Sequence, residues 1–334
     1  MPSTLCLRLY REVVKDMTGY IIRRLLHALL VVVLMSMLIF VLIRLLPGDP
    51  IELLYGEREL VVLTPEALDE IRARYGLDRP LPIQYLSWAG NLLRGDFGRS
   101  LIRGFDIADQ LGSRVTVTVL IGLSSLVLGL IIGPLLGLIS AIKQGTWIDN
   151  VVSTFANIGI TAPQFWVAII MIYIFGLRLR VLPQWGFVLP WEDFWQFIRH
   201  SIMPVFVGAL GIIASTARQM RSSALETLGE DHIRTAWAKG LREKKVILKH
   251  VIKNSFMPIL TLGGVMFRMV VGGSVVIETI FVIPGMGSMM VDGMASRDYP
   301  VVQAIALVMT LVVVLANLVV DLLYVWLDPR ISYS

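Results

Sequence analysis

The residues of this chain able to do chemistry are few and far apart. Four histidines (His27, His200, His232, His250) lack HExxH-type spacing, and the single cysteine, Cys6, rules out a disulfide framework or a cysteine metal site. Met286, Met289, Met290 and Met294 form a thioether-rich run that would suit Cu(I). Packing is the simpler explanation of that run. No Gly-Lys dipeptide occurs, so the chain cannot form a Walker A phosphate loop. No catalytic residue and no metal site are expected. Two features stand out instead: an arginine inside an apolar run, Arg268, and a basic amphipathic segment over 225–258.

Arg268 is costly where it stands. A buried arginine at the centre of a membrane helix costs roughly 2.5–3.5 kcal/mol on insertion scales, so it must face a cavity or a partner. Two readings are open: it lines a solute pathway and meets an anionic group, or it pairs with a polar group of a neighbouring chain. Asn157, Gln164, Phe165 and Trp166 are the other pathway candidates. Membrane aromatics are mostly packing or belt residues, which is the plainer reading of the last two. Glu278 and Asp321, near helix ends, are expected to cap or pair, and Arg44 to snorkel.

These residues sit in a chain built for a bilayer. Of 334 residues, 56% are hydrophobic and 16% charged, with mean hydropathy +0.73. A soluble domain carries about 25% charged residues. Six runs approach the roughly 20 apolar residues that cross a bilayer: Leu25–Ile43, Val115–Ile142, Val151–Leu177, Ser201–Ala217, Phe256–Ile277 and Val301–Val320. Gly129, Gly133, Pro134, Gly137 and Pro163 interrupt them, which membrane helices tolerate, and the glycines read as packing contacts. The first run is too long for a signal-peptide core and is expected to be retained.

The net charge of +5 and pI near 9.4 mark topology rather than nucleic-acid binding, for which no motif is present. Arg8, Arg11, Lys15, Arg23 and Arg24 precede the first run, and nine Lys and Arg residues lie between Arg218 and Lys253. The short loop 284–299 has only Arg297. Both termini and the 218–253 loop are therefore expected in the cytoplasm. The segment 47–113 falls outside. It is expected to carry one helix from Thr64-Pro65-Glu66 to Gly76 and a second from Ile83 to Leu93, ended by Gly95.

The segment 225–258 reads as helix, turn, helix: Glu226 to Lys239 with a break near Gly229, a stop at Gly240, then Arg242 to Asn254 leading to Pro258. Lipid binding, a solvated face or topology signalling would each explain such a hairpin. A resemblance decides between them. Arg234-Thr235-Ala236-Trp237-Ala238-Lys239-Gly240, with Pro258 eighteen residues later, resembles the coupling loop of binding-protein-dependent ABC importer permeases. The peptide/nickel branch usually has arginine where this chain has Trp237.

The resemblance runs nearly the length of the chain. It includes Tyr20 to Leu26, Leu46-Pro47-Gly48-Asp49-Pro50, Gly76 to Tyr85, and Gly95-Asp96-Phe97-Gly98-Arg99-Ser100. It continues through Gly272 to Thr279, Pro284-Gly285-Met286-Gly287, Arg297 to Gln303, and Asp328-Pro329-Arg330-Ile331. The chain is similar to the first permease of the dipeptide, oligopeptide, glutathione and nickel importers.

That resemblance implies an all-α membrane protein of about six transmembrane helices, with a helical extracytoplasmic insert and a cytoplasmic coupling-helix hairpin. The division it implies is an arm over 1–19, a first helix over 20–46, the insert over 47–113, a transmembrane domain over 114–328 with the coupling loop at 225–254, and a tail over 329–334. It implies a second homologous permease, two ATPase subunits that hold ATP and Mg, and an extracytoplasmic solute-binding protein. Coupling to the ATPase would fall to Arg234, Thr235, Ala236, Trp237, Lys239, Gly240 and Leu241. An ion-coupled carrier would instead show several intramembrane carboxylates or an inverted repeat, and neither is visible. A membrane scaffold gives no reason for the coupling loop.

Overall fold

The computed structural model describes residues 3–45, 78–271 and 275–327, and every regular element among them is a helix. The first insert helix expected from Thr64, the Leu46–Pro50 motif, residues 272–274 and the Asp328–Ile331 motif lie outside the described residues. The chain divides into two compact units, residues 1–112 with 289–334 and residues 113–288.

In the first unit, α1 (Ser3–Arg44) packs along α13 (Tyr299–Leu327), and Arg24 pairs with Asp321 at 2.9 Å. The short helix α2 (Leu81–Leu93) lies on α1. Tyr85 shares a 2.9 Å hydrogen bond with Ser36, and its ring meets Phe40 edge-on at 5.6 Å. The loop that follows turns on Gly95 and Gly98, at φ 84° and 83°. It is then pinned by Asp298: the Ser100 hydroxyl donates to Oδ2 at 2.5 Å and the Leu101 N–H to Oδ1 at 3.2 Å.

In the second unit, α3 (Ile107–Ile142, shared with the first unit at its start) and α6 (Phe194–Gly229) are its longest helices. They approach closely because Gly129, Gly133 and Gly137 form one stripe on α3. A Cβ at Gly129 would fall 2.6 Å from Ile212 Cβ, one at Gly133 2.7 Å from the Ile213 carbonyl, and one at Gly137 would overlap the Ala217 carbonyl. Small residues at such spacing allow backbone-to-backbone contact in membranes. At its start α6 is capped by Asp193, whose Oδ1 accepts the Trp195 and Gln196 N–H groups at 3.0 Å.

The spans differ from expectation in three places. Among the described residues four helices are long and apolar enough to cross a membrane, Ile21–Arg44, Ile107–Ile142, Phe194–Gly229 and Tyr299–Leu322, and a bent helix pair makes a fifth if it is one span. The segment expected as one span over Val151–Leu177 is two helices, α4 (Trp147–Thr161) and α5 (Gln164–Met171, continued as a π-helix to Arg178), bent by 109°. Pro163 is the cause. It lacks an N–H and drives the residue before it out of the helical region, and Ala162 sits at ψ 128°. The expected span Phe256–Ile277 contains the shorter apolar helix α10 (Met257–Val271), which counts as no span by length; α11 (Val275–Ile280) follows. The short span expected at Ser201–Ala217 is the centre of α6. At 36 residues α6 is about 54 Å long, well beyond a ~30 Å hydrocarbon core.

Candidate coupling surface

The far end of α6 delivers the chain to the hairpin. Glu230 is extended at ψ 150°, breaking the helix where Gly229 suggested, and α7 (Asp231–Ala238) follows. Lys239 caps α7, and Gly240 sits at φ 72°, a left-handed conformation that glycine adopts without strain. The Gly240 N–H donates to the Trp237 carbonyl at 2.9 Å and the Leu241 N–H to the Ala236 carbonyl at 3.3 Å. Those two bonds make a Schellman stop. The return arm was expected as one helix from Arg242 to Asn254. It is instead a helical turn, α8 (Glu243–Val246), a π-helical stretch over Ile247–Val251, and a second turn, α9 (Ile252–Ser255).

The hairpin has two faces. Ile233, Ala236, Val246 and Val251 are buried in one apolar cluster with Met220 and Ala224 of α6, and Leu241 packs against it. Ser255 donates to the Thr227 hydroxyl at 3.1 Å, tying α9 to α6, and His232 meets Asn254 at 3.1 Å across the hairpin. The other face presents Arg234, Thr235, Trp237, Lys239 and Gly240 to the outside. Trp237 is 47% exposed on this face. The seven predicted coupling residues thus divide: Ala236 and Leu241 anchor the hairpin, while Arg234, Thr235, Trp237, Lys239 and Gly240 are presented.

The predicted pathway residues are not gathered at one place. Gln164 lines a cavity of about 360 Å³ in the second unit, along with Ser125, Met266, Met269 and Glu278. Phe165 and Trp166 beside it are exposed. Arg268 is half-buried on α10 and is not among the residues lining that cavity. Asn157 lines a separate hollow with Ser140, Arg218 and Arg221, and its Oδ1 accepts from Arg218 Nη2 at 3.0 Å.

One polar centre gave no signal in the sequence. Asp149 is buried and receives the Arg221 guanidinium, the Ser140 hydroxyl and the Gly145 N–H. An aspartate two residues into a helix after a loop gives no hint of a partner 72 residues away. Glu278, expected to cap or pair, does so while also walling the cavity. Its Oε1 accepts from the Thr118 hydroxyl at 2.7 Å and its Oε2 from the Ser288 N–H at 3.0 Å, at the start of α12 (Met286–Ala295). Met286 and Met289 are buried packing residues.

A model of the binding-protein-dependent transport system inner membrane component family matches residues 133–333, and a model of its N-terminal part matches residues 17–103. The chain belongs to that family. It is a multi-pass inner-membrane component of a binding-protein-dependent transport system. It is 39% identical over 321 residues to a putative peptide permease protein of Brucella suis biovar 1, covering 95% of this chain and 100% of that one. It is 37% identical over 320 residues to the oligopeptide transport system permease protein AppB of Bacillus subtilis, covering 95% and 100%. Among solved structures it is similar to the inward-facing MetNI methionine ABC transporter, at TM-score 0.52 and 18% identity over 66% of this chain and 96% of that one. This permease shares a fold with that structure.

Proposed function

We propose that this permease is the membrane-spanning subunit of an ATP-driven importer that admits peptides delivered by an extracytoplasmic binding protein. The observation that carries the proposal is the division of the α7 hairpin into a buried face and a presented face. Ile233 and Ala236 hold the helix against Met220 and Ala224 of the 36-residue α6, so movement of α7 would be passed to α6. The presented Trp237, with Arg234 and Lys239 beside it, offers an anchor of the kind that dominates protein interfaces. The peptide permeases that resemble this chain over nearly all their length support peptides as cargo.

In this proposal two ATPase subunits bind ATP and Mg and receive α7 in a surface cleft, and a second permease completes the pathway. With the bent α4–α5 pair and α10 also crossing the membrane, both termini and the hairpin face the cytoplasm, and α2 faces outward. ATP binding favours the closed ATPase dimer and so biases the permeases between two states, with no covalent chemistry on this chain. The test is uptake of a radiolabelled tripeptide into proteoliposomes that hold the full complex. Uptake that requires both ATP and the binding protein is expected. Uptake driven by an ion gradient without ATP would contradict the proposal.

A further inference from the structure

The loop between α5 and α6, residues 179–193, has two sides. Leu182, Phe187 and Leu189 pack against a buried cluster that includes Met203 and Val205 of α6 and Phe281 and Ile283 after α11. The Gly186 N–H donates to the Phe281 carbonyl at 3.0 Å, and the Phe187 ring meets Phe197 edge-on at 5.8 Å. The loop is therefore held down against the first turns of α6. Its other side carries large apolar groups in the open. Trp185 is 64% exposed, Trp191 66%, and Trp195, in the first turn of α6, 73%. Val181 and Phe194 are exposed as well.

α6 itself supplies a ruler. Between Arg199 and Arg218 it has no Asp, Glu, Lys or Arg, and that stretch rises about 28 Å, close to the ~30 Å of a hydrocarbon core. Both arginines are exposed, and they mark the two edges of the core. Trp195 stands one turn beyond Arg199, about 6 Å further out, which is the headgroup layer. The Phe187–Phe197 contact keeps the loop at the same level. The end of the α5 π-helix repeats the pairing of an exposed aromatic with arginine: Arg178 Nε donates to the Tyr173 hydroxyl at 3.0 Å, and the guanidinium lies 5.7 Å from the ring centre. Tryptophan suits the headgroup layer because its ring is apolar while its N–H seeks a polar partner, and membrane–water interfaces are enriched in it and in tyrosine.

We infer that Trp185, Trp191 and Trp195 form an aromatic collar lying in the phospholipid headgroup layer of the outer leaflet, with Tyr173 at the end of α5 in the same layer. The outer placement rests on the importer proposal, in which the hairpin end of α6 is cytoplasmic. Phospholipid fits the collar better than a binding protein does, because the rings lie level with the first turn of α6 and not above the membrane. The collar sets the depth of the outer end of α6, the helix whose other end carries α7.

The test puts a benzophenone amino acid in place of Trp191 in one sample and of Trp195 in another, with the full complex and its binding protein assembled in spheroplasts rich in phosphatidylethanolamine. After illumination, both positions are expected to yield phosphatidylethanolamine adducts on this chain, attached at the glycerol or the first acyl carbons. The amine of those adducts is expected to react with an impermeant reagent added outside. Capture of the binding protein or of a companion permease in place of lipid would overturn the collar and leave the importer proposal standing. Attachment confined to the middle of the acyl chains, or no lipid adduct at either position, would overturn it equally. Lipid adducts whose amine is shielded from the outside reagent would overturn the outer placement, and with it the orientation that the importer proposal uses.

Discussion

Arg221 holds Asp149 with both sides of its guanidinium, Nε to Oδ1 at 2.8 Å and Nη2 to Oδ2 at 2.9 Å. This joins α6, more than two turns before the hairpin break, to the start of α4. The Ser140 hydroxyl and the Gly145 N–H complete the carboxylate's shell, so the end of α3 and the α3–α4 turn are tied in as well. Removing one partner of a buried pair leaves the other uncompensated, at about 3 kcal/mol. Asp149→Asn and Arg221→Ala are each expected to lower stability by that order, and the double variant by much less than the sum. Thermal unfolding of the detergent-purified chain measures this. Additive effects would show that the two residues do not act as a unit.

The glycine stripe predicts a failure of assembly rather than of insertion. Gly133→Leu keeps α3 apolar but drives a side chain into Thr216 and the Ile213 backbone. A cost of at least about 3 kcal/mol is expected from overpacking against backbone, which cannot move aside. Size-exclusion profiles and limited proteolysis should show a membrane-inserted but loosened chain. A profile like the wild type would show that α3 and α6 do not pack this closely.

What could be read from the sequence follows from the physics of each feature. The glycines on α3 could be read as contacts because nothing else explains them in a membrane run. The Gly240 stop could be read because a left-handed cap has a residue signature. Helix existence was legible from apolar runs, but helix geometry was not. Pro163 marks an interruption without revealing its 109° angle, and the polar ends of α6 hid that Ser201–Ala217 belongs to a strut of 36 residues. The hairpin was legible as a motif, yet only packing separates Ala236 and Leu241, which anchor it, from Trp237, which it presents. The Asp149–Arg221 pair was invisible because long-range pairing leaves no local trace. Asn157, Gln164 and Arg268 lie apart from one another, because polarity inside a span says that a partner exists and not where.

Glu278 separates charge from hydrogen bonding. Glu278→Ala leaves the Thr118 hydroxyl and the Ser288 N–H without their acceptor, at about 1–3 kcal/mol. Glu278→Gln keeps one carbonyl oxygen for Ser288 and can donate to Thr118, and is expected to cost about 1 kcal/mol or less. Chemical denaturation of the purified chain compares them. Equal losses would mean that the negative charge, not the bonding, holds the start of α12.

The two faces of α7 predict opposite phenotypes. Ile233→Asp puts a charge into the apolar cluster and should destabilise the hairpin by about 3 kcal/mol or more. Trp237→Ala removes an exposed side chain and should leave stability within about 0.5 kcal/mol while ATPase subunits are lost on purification. Retention of the ATPase in Trp237→Ala together with loss of stability would reverse the assignment of the faces.

The most direct measurement places a photo-crosslinking amino acid at Trp237 in one sample and at Leu81 in another, with the assembled complex in native membranes. Mass spectrometry then identifies what each captures. The coupling role predicts that position 237 captures an ATP-binding subunit and that position 81 never does. Capture of lipid alone from position 237, with ATPase subunits present and with ATP both added and withheld, would contradict it.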